Sequence, residues 1–218
     1  MRGFFITFEG IEGSGKSTVA GRIDRLLRDE GVDPLLTREP GGTVISEDIR
    51  GILLDPDRTE ISAKTELLLY LASRAQLVAE VILPAVESGR IVLCDRYMDA
   101  TMAYQGWARG LGEDLVRDFN LFAVGSALPD LTFLFDLSVE EGFKRGPEKR
   151  ESSGIQARDR LESEDMIFHE KVREGYLRIA GMEKKRVIII DASLSLDSVV
   201  ETIFRNIKSR IDVQSYRG

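Results

Sequence analysis

The hydrophobic positions of the chain fall into short apolar runs separated by longer stretches of helical spacing. Phe4 to Glu9 is apolar and β-branched and stops at a glycine. Arg90 to Asp95 (RIVLCD), Leu131 to Leu137 (LTFLFDL) and Arg186 to Asp191 (RVIIID) share its brevity, the pattern of strands buried on both faces, and Leu35 to Arg38 is a weaker fifth. Helical stretches lie between them: Lys16 to Glu30, ended by Gly31, then about Ser46 to Leu54, Ala63 to Glu87, Glu113 to Ser126, Val139 to Arg145, Glu164 to Ala180 and Ser195 to Arg210. Strands alternating with helices imply an α/β fold, a parallel sheet covered by helices on both faces.

With 218 residues and neither an internal repeat nor a Pro/Gly/Ser-rich linker, the chain reads as one domain spanning 1–218. A hydrophobic fraction of 43% and a charged fraction of 31% are those of a globular protein. The net charge of −7 argues against an electrostatic grip on nucleic acid or on an anionic membrane, while leaving room for a small anion held where a few arginines converge. Cys94 is the single cysteine, so no internal disulfide forms and a reducing cytoplasm fits. The N-terminal MRGFFITFEG has too short an apolar stretch for a signal peptide, and no segment approaches the ~18 uninterrupted apolar residues of a membrane span. One composition shift stands out: Lys144 to Arg160, KRGPEKRESSGIQARDR, polar and arginine-rich. It reads either as a solvated loop or, from its place after the fourth strand, as a mobile phosphate-covering lid.

The strongest local signal is Gly10-Ile11-Glu12-Gly13-Ser14-Gly15-Lys16-Ser17, a G-x-x-x-x-G-K-[ST] loop directly after a strand and before a helix. Its glycines let backbone N–H groups turn inward around nucleotide phosphates at the positive end of the following helix. Lys16 is placed to reach the β- and γ-phosphates, and the Ser17 hydroxyl to ligate Mg²⁺. The loop alone specifies a nucleoside triphosphate, not a reaction. No Asn-Lys-x-Asp base reader of a guanine-nucleotide switch is present, the asparagines being Asn120 and Asn206, and no Leu-Ser-Gly-Gly-Gln transporter signature occurs.

A second cluster of cations points at the same edge. The helix over 63–87 carries an apolar stripe of Leu67, Tyr70, Leu71, Leu77, Val78, Val81 and Ile82, and Arg74 falls within it. A guanidinium there needs a buried acidic partner or an anionic ligand. Tyr70 lies one turn before it on the same face, so the two suit either a nucleobase or packing with a structural salt bridge. Asp95 and Arg96 emerge at the carboxyl end of the third strand, Arg38 and Pro40 leave the second strand at that edge, and Arg50 lies on the next helix. Cations from several segments aimed at one cleft of an acidic protein imply a second phosphorylated substrate. A monophosphate acceptor needs no general base; a hydroxyl acceptor would need one, with Asp95 or Glu9 available.

The segments FEGIEGSGKST (8–18), TREPGGT (37–43), LLLYLASRAQLV (67–78), DRYMDATMAYQG (95–106) and ARDRLESE (157–164) resemble, in order and spacing, the blocks of bacterial thymidylate kinases. The resemblance implies a P-loop NTPase fold, a three-layer α/β/α sandwich on a five-stranded parallel sheet with a mobile lid at about 144–160. It implies Mg²⁺-dependent transfer of a phosphoryl group from ATP to dTMP, and a homodimer formed through the helix at Glu113 to Ser126 or that at Ala63 to Glu87. It assigns ATP binding to Gly10, Ile11, Glu12, Gly13, Ser14, Gly15, Lys16, Ser17 and Thr18 with Arg145, and the metal to Ser17 and Asp95. On the acceptor side it places Glu12 at the dTMP sugar and phosphate, Tyr70 on the thymine face, Arg74 and Thr101 at the base edge, Arg96 and Arg50 on the phosphate, and Tyr104 at the sugar 2′ position with Gln105 beside it. Arg38 and Pro40 belong to the same site, and Glu39-Pro40 is expected to be cis. Because isoleucine and glutamate occupy positions 11 and 12, the resemblance passes the catalytic arginine to the lid, to Arg150 or, second, Arg158. His169 is read as a surface residue without chemistry, and Trp107 as either a cap on the acceptor pocket or loop packing.

Overall fold

A computed structural model describes residues 2–145 and 159–216. Five strands, β1 (Phe4–Gly10), β2 (Leu35–Arg38), β3 (Ile91–Asp95), β4 (Leu131–Asp136) and β5 (Val187–Asp191), form one parallel sheet in the order β2-β3-β1-β4-β5. The central strands are apolar throughout because both faces are covered. On one face Phe5, Val92 and Cys94 pack beneath Leu77, Val78 and Ile82. On the other, Ile6, Phe8, Leu93 and Phe133 pack with Val19, Ile23 and Leu27 of α1 (Lys16–Asp29) and with Val200 and Ile203 of α8 (Leu196–Arg210).

The remaining helices are α2 (Val44–Leu54), α3 (Ala63–Glu87), α4 (Met98–Thr101, running on as a π-helical stretch Met102–Ala108), α5 (Glu113–Val124), α6 over 139–145, and α7 (Met166–Met182). Several begin on a side-chain cap: Thr43, Ser62, Asp165 and Ser195 each accept a bond from the backbone N–H three residues on, at 3.1, 3.2, 2.7 and 3.3 Å. The Asp165 cap starts α7 at Met166, two residues later than the sequence pattern indicates. By length and mean hydropathy α3 is long and apolar enough to cross a membrane, although Arg74, Gln76 and Glu80 interrupt its apolar run; in the fold its apolar residues Leu77, Val78 and Ile82 cover the sheet. It widens into π geometry over Val78–Ile82, where Pro84 has no N–H to give the carbonyl four residues back.

The helix over 98–108 was not expected. Its buried side includes Asp99, Thr101, Tyr104 and Gln105, so no apolar period announces it. The strand register sets the site: Asp95 pairs with both Arg38 and Phe8, so β1, β2 and β3 release their chains at one edge. β1 sits between β3 and β4, and the crevice at that reversal of strand order is where open α/β sheets bind ligands.

Candidate active site

The phosphate loop leaves β1 at Gly10, whose φ of 143° is open to glycine; a Cβ there would lie 2.6 Å from the Phe135 carbonyl oxygen. Gly13, at φ 73°, is more confined, since a Cβ would come within 2.3 Å of the Gly142 carbonyl oxygen on α6. Ser14 Oγ and Lys16 Nζ both donate to the Ile11 carbonyl oxygen at 2.8 Å, which folds the lysine along its own loop. α1 starts at Lys16, so its first N–H groups and positive end face the loop.

Ile11, Glu12, Gly13, Lys16 and Ser17 form one wall of a cavity of about 530 Å³. The same cavity brings together Arg38, Pro40 and Arg50, then Tyr70 and Arg74 of α3, Asp95 and Arg96, and Thr101, Tyr104 and Gln105. Glu39-Pro40 is cis, as expected. Arg50 Nη1 donates to the Pro40 carbonyl at 2.7 Å; burial and then the neighbouring Arg38 push its pKa down, a position that an added anion would relieve. Arg96 is the one non-glycine residue at positive φ (70°) among the described residues. Its guanidinium is paired with Glu12, donates to the Tyr176 hydroxyl at 3.3 Å and lies over the Tyr104 ring, 5.2 Å from its centroid. Burial works against its charge, but Glu12 and then the phenols of Tyr104 and Tyr176 outweigh that, so it stays firmly ionised. Thr101 Oγ1, Tyr104 Oη and Asp95 Oδ1 are buried with no hydrogen-bond partner among the described residues.

Arg74 has the buried acidic partner that its place in an apolar stripe demands. It is 1% exposed, and its Nε donates to Glu39 Oε2 at 2.8 Å, its Nη2 to the Tyr97 carbonyl at 3.0 Å and its Nη1 to Asn120 Oδ1. All three guanidinium nitrogens are thus engaged by the protein, Nη2 also lying 2.7 Å from Glu39 Oε2, and the residue still borders the cavity, as does Tyr70. Gln105 is likewise tied down, its amide donating at 2.7 Å to Glu66, a buried carboxylate that also holds Arg160 at 2.7 Å and Arg109 at 3.2 Å.

Comparison with known proteins gives this geometry a family. The profile of the family described as thymidylate kinase matches residues 8–203. The chain belongs to the thymidylate kinase family. It is 44% identical to the thymidylate kinase of Geobacillus thermodenitrificans over 212 residues, covering 97% of this chain and 92% of that protein. It is 49% identical to that of Pelobacter propionicus over 201 residues, covering 92% of each chain. The crystal structure of thymidylate kinase from Ehrlichia chaffeensis superposes with a TM-score of 0.77 at 29% identity, over 95% of this chain and 99% of that one.

Not every residue nominated from the sequence borders the cavity of this thymidylate kinase family member. Gly10, Ser14 and Gly15 shape the loop from behind, and Thr18 is exposed on α1. Arg145 is drawn aside to Glu141 at 3.1 Å and to the Ala192 carbonyl at 2.8 Å. Arg150, Arg158 and most of the expected lid lie outside the described residues. Glu9, weighed as a base, is fully buried and does not border the cavity. Trp107 packs rather than caps: its ring lies under the Arg178 guanidinium at 4.4 Å, and it is not part of the cavity wall.

The reading of His169 as a surface residue is wrong. It is 2% exposed, borders the cavity and meets Phe143 edge-on at 5.1 Å, and burial pushes its pKa down. The spacing 169, 172, 176 with Val172 and Tyr176 marks it as core-facing, a signal masked by flanking charges. Asp159, Leu161 and Glu162, which have no role in the reading of the sequence, also border the cavity. Asp159 Oδ1 accepts from the Glu162 N–H at 2.8 Å, and burial raises its carboxyl pKa.

Proposed function

We propose that this protein transfers the γ-phosphoryl group of ATP to dTMP, giving dTDP and ADP, and that the chain acts as a single catalytic unit. The observation that carries the reading is the gathering of two sets of anion-binding groups around one cavity, the phosphate loop with Lys16 and the arginines Arg38, Arg50 and Arg96, in a chain of net charge −7. Membership of the thymidylate kinase family supports the choice of acceptor.

In this reading Lys16 with the loop N–H groups holds the donor phosphates, Arg96 and Arg50 hold the acceptor phosphate, and Glu12, paired with Arg96, faces the dTMP sugar and phosphate. Tyr70 stacks on the thymine, Arg74 offers it a remaining N–H, Thr101 approaches the base edge, and Tyr104 with Gln105 closes the pocket against a 2′ hydroxyl. The acceptor phosphate is ionised near neutral pH, its second pKa being about 6. Catalysis therefore rests on alignment and on neutralising charge on the transferred oxygens, without a general base. Lys16 and Arg96 supply that charge from the described residues, and Arg150 or Arg158 from the lid.

Ser17 and Asp95 would hold Mg²⁺. The buried, unpartnered Asp95 Oδ1 is a hard oxygen donor, and both residues border the cavity. The described residues contain no cluster of three acidic, histidine or cysteine ligands, which suits an ion that takes most of its shell from water and phosphates. When bound, the ion would supply charge neutralisation on the phosphate oxygens. A homodimer completes the proposal, through the apolar row Leu115, Phe119 and Phe122 exposed on α5, Phe122 at 89%. A cytoplasmic location accords with the buried thiol of Cys94.

The test is ADP release with MgATP and, separately, dTMP, dUMP, UMP, dCMP, AMP and thymidine, with Arg96→Ala as control. A strong dTMP preference that collapses in the control supports the reading. Turnover of thymidine but not dTMP would transfer the protein to nucleoside kinases, with Asp95 as base. ATP hydrolysis indifferent to every acceptor would refute the kinase reading.

A further inference from the structure

Behind the cavity wall lie two buried groups that the proposed chemistry does not use, Glu9 on β1 and Tyr176 on α7. Neither borders the cavity, and they are 0% and 2% exposed. The Tyr176 hydroxyl donates to Glu9 Oε2 at 2.9 Å, while Glu9 Oε1 accepts from the Tyr97 N–H at 2.7 Å. Arg96 Nη1 completes the chain by donating to the Tyr176 oxygen at 3.3 Å. The Tyr104 and Tyr176 rings meet edge-on, with centroids 6.3 Å apart and planes at 82°, so one offers the guanidinium its face and the other its hydroxyl.

We infer that Tyr176, braced by Glu9, is a positioning residue that aims Arg96 at the phosphate of the acceptor. The inference rests on the reading of Arg96 as a phosphate-holding residue. An arginine side chain has many rotamers, and ordering it before the ligand arrives moves that entropic cost from binding into folding. A phenol suits the task better than a carboxylate in direct contact. It accepts one N–H and fixes the plane of the fork without cancelling the charge that the phosphate must meet. The carboxyl that steadies the phenol is one residue further back. Burial, and then the nearby Asp99, push that Glu9 carboxyl up to about 8, which limits its own pull on the arginine. The backbone of Arg96 is pinned as well, its N–H donating to the Phe8 carbonyl at 3.0 Å, so Tyr176 governs the side chain on a fixed stem.

The test compares two ligands that differ only in the phosphate. Calorimetric Kd values for dTMP and thymidine are measured for the full chain, for Tyr176→Phe and for Arg96→Ala. Tyr176→Phe removes one hydroxyl and keeps the ring that packs on Tyr104. It is expected to shrink the preference for dTMP over thymidine by about three- to tenfold, the worth of one hydrogen bond, with thymidine binding changed less than twofold. Equal weakening of both ligands marks a merely structural role and overturns the inference, as does an unchanged preference. If Arg96→Ala leaves the preference intact, the phosphate role of Arg96 fails and the inference falls with it; if that control collapses the preference while Tyr176→Phe does not, only the inference falls. Should Tyr176→Phe not fold, Glu9→Leu replaces it. Leucine offers the Tyr176 hydroxyl no acceptor in place of Glu9 Oε2, and the same loss of preference is expected.

Discussion

Replacing Arg74 with methionine separates two roles that its position combines. The side chain is 1% exposed, and its partner Glu39 has a side chain 3% exposed. The substitution deletes the 2.8 Å bond to Glu39, the 3.0 Å bond to the Tyr97 carbonyl and the bond to Asn120, and leaves a carboxyl group enclosed without its cation. Glu39 Oε1 already has no partner among the described residues, so no second donor takes over. Breaking one side of such a buried pair costs about 3–5 kcal/mol. At this chain length that is a fall in Tm of roughly 10 °C. Methionine is the apt replacement because its flexible apolar chain fills most of the vacated space and keeps a cavity term small. Urea unfolding followed by circular dichroism gives the loss, and the double variant with Glu39→Gln recovers part of it because the uncompensated charge is gone. A single variant within about 1 kcal/mol of the parent, the least that one lost buried partner leaves, would refute this reasoning and leave Arg74 as a ligand group alone.

Other outcomes follow from the same geometry. Gly13→Ala places a Cβ 2.3 Å from the Gly142 carbonyl oxygen at φ 73°, so it lowers Tm and weakens ATP binding measured by calorimetry; the left-handed backbone alone costs about 1–2 kcal/mol. Glu9, pushed up to about 8 from 4.5 by burial, favours the folded state most when protonated, so its contribution is fully present below about 4.5 and is lost as pH rises through about 8. Tm measured from pH 5 to 9 falls with rising pH less steeply in Glu9→Gln than in the parent, and parallel curves would contradict that assignment. Lys16→Met lowers kcat for dTMP phosphorylation by at least about a hundredfold, as loss of a transition-state charge partner does, while the thermal midpoint stays near that of the parent. dUMP, which lacks one methyl, is turned over with kcat/KM lower by only about 10- to 200-fold.

What the sequence disclosed and what it concealed divide along a physical line. The strands were legible because burial on both faces makes them continuous apolar runs, and the phosphate loop because its chemistry is local, a glycine-lysine-serine pattern closed within eight residues. The resemblance supplied the acceptor residues as well, and most of them do border one cavity. The helix over 98–108 was hidden because its inner side carries Asp99, Thr101 and Gln105, polar groups satisfied or enclosed by other elements rather than by their own. His169 was hidden by the charges around it, although the side chains one and two turns on are buried with it. Partners distant in sequence are what a local reading does not supply: Glu39 for Arg74 at 35 residues' separation, Glu66 for Gln105 at 39, Glu9 for Tyr176 at 167.

That division also explains how an acidic chain builds an anion site. The arginines facing the cavity are not an unpaired basic patch. Arg74 is matched to Glu39, Arg96 to Glu12, and Arg38 to Glu47 at 2.9 Å. Each carboxylate offsets the cost of burying or gathering positive charge, and the pairs differ in how far they are open to solvent. Arg74 and Glu39 are sealed, so their bond belongs to the fold. The Glu12 side chain is 36% exposed, so an incoming phosphate can compete with it for Arg96. Tyr176 holds the same guanidinium from the buried side, where no ligand reaches. On the proposed reading of Arg96, an exchange of anions on one face, with the plane of the arginine kept by the other, would let the site take up phosphate without a standing excess of charge.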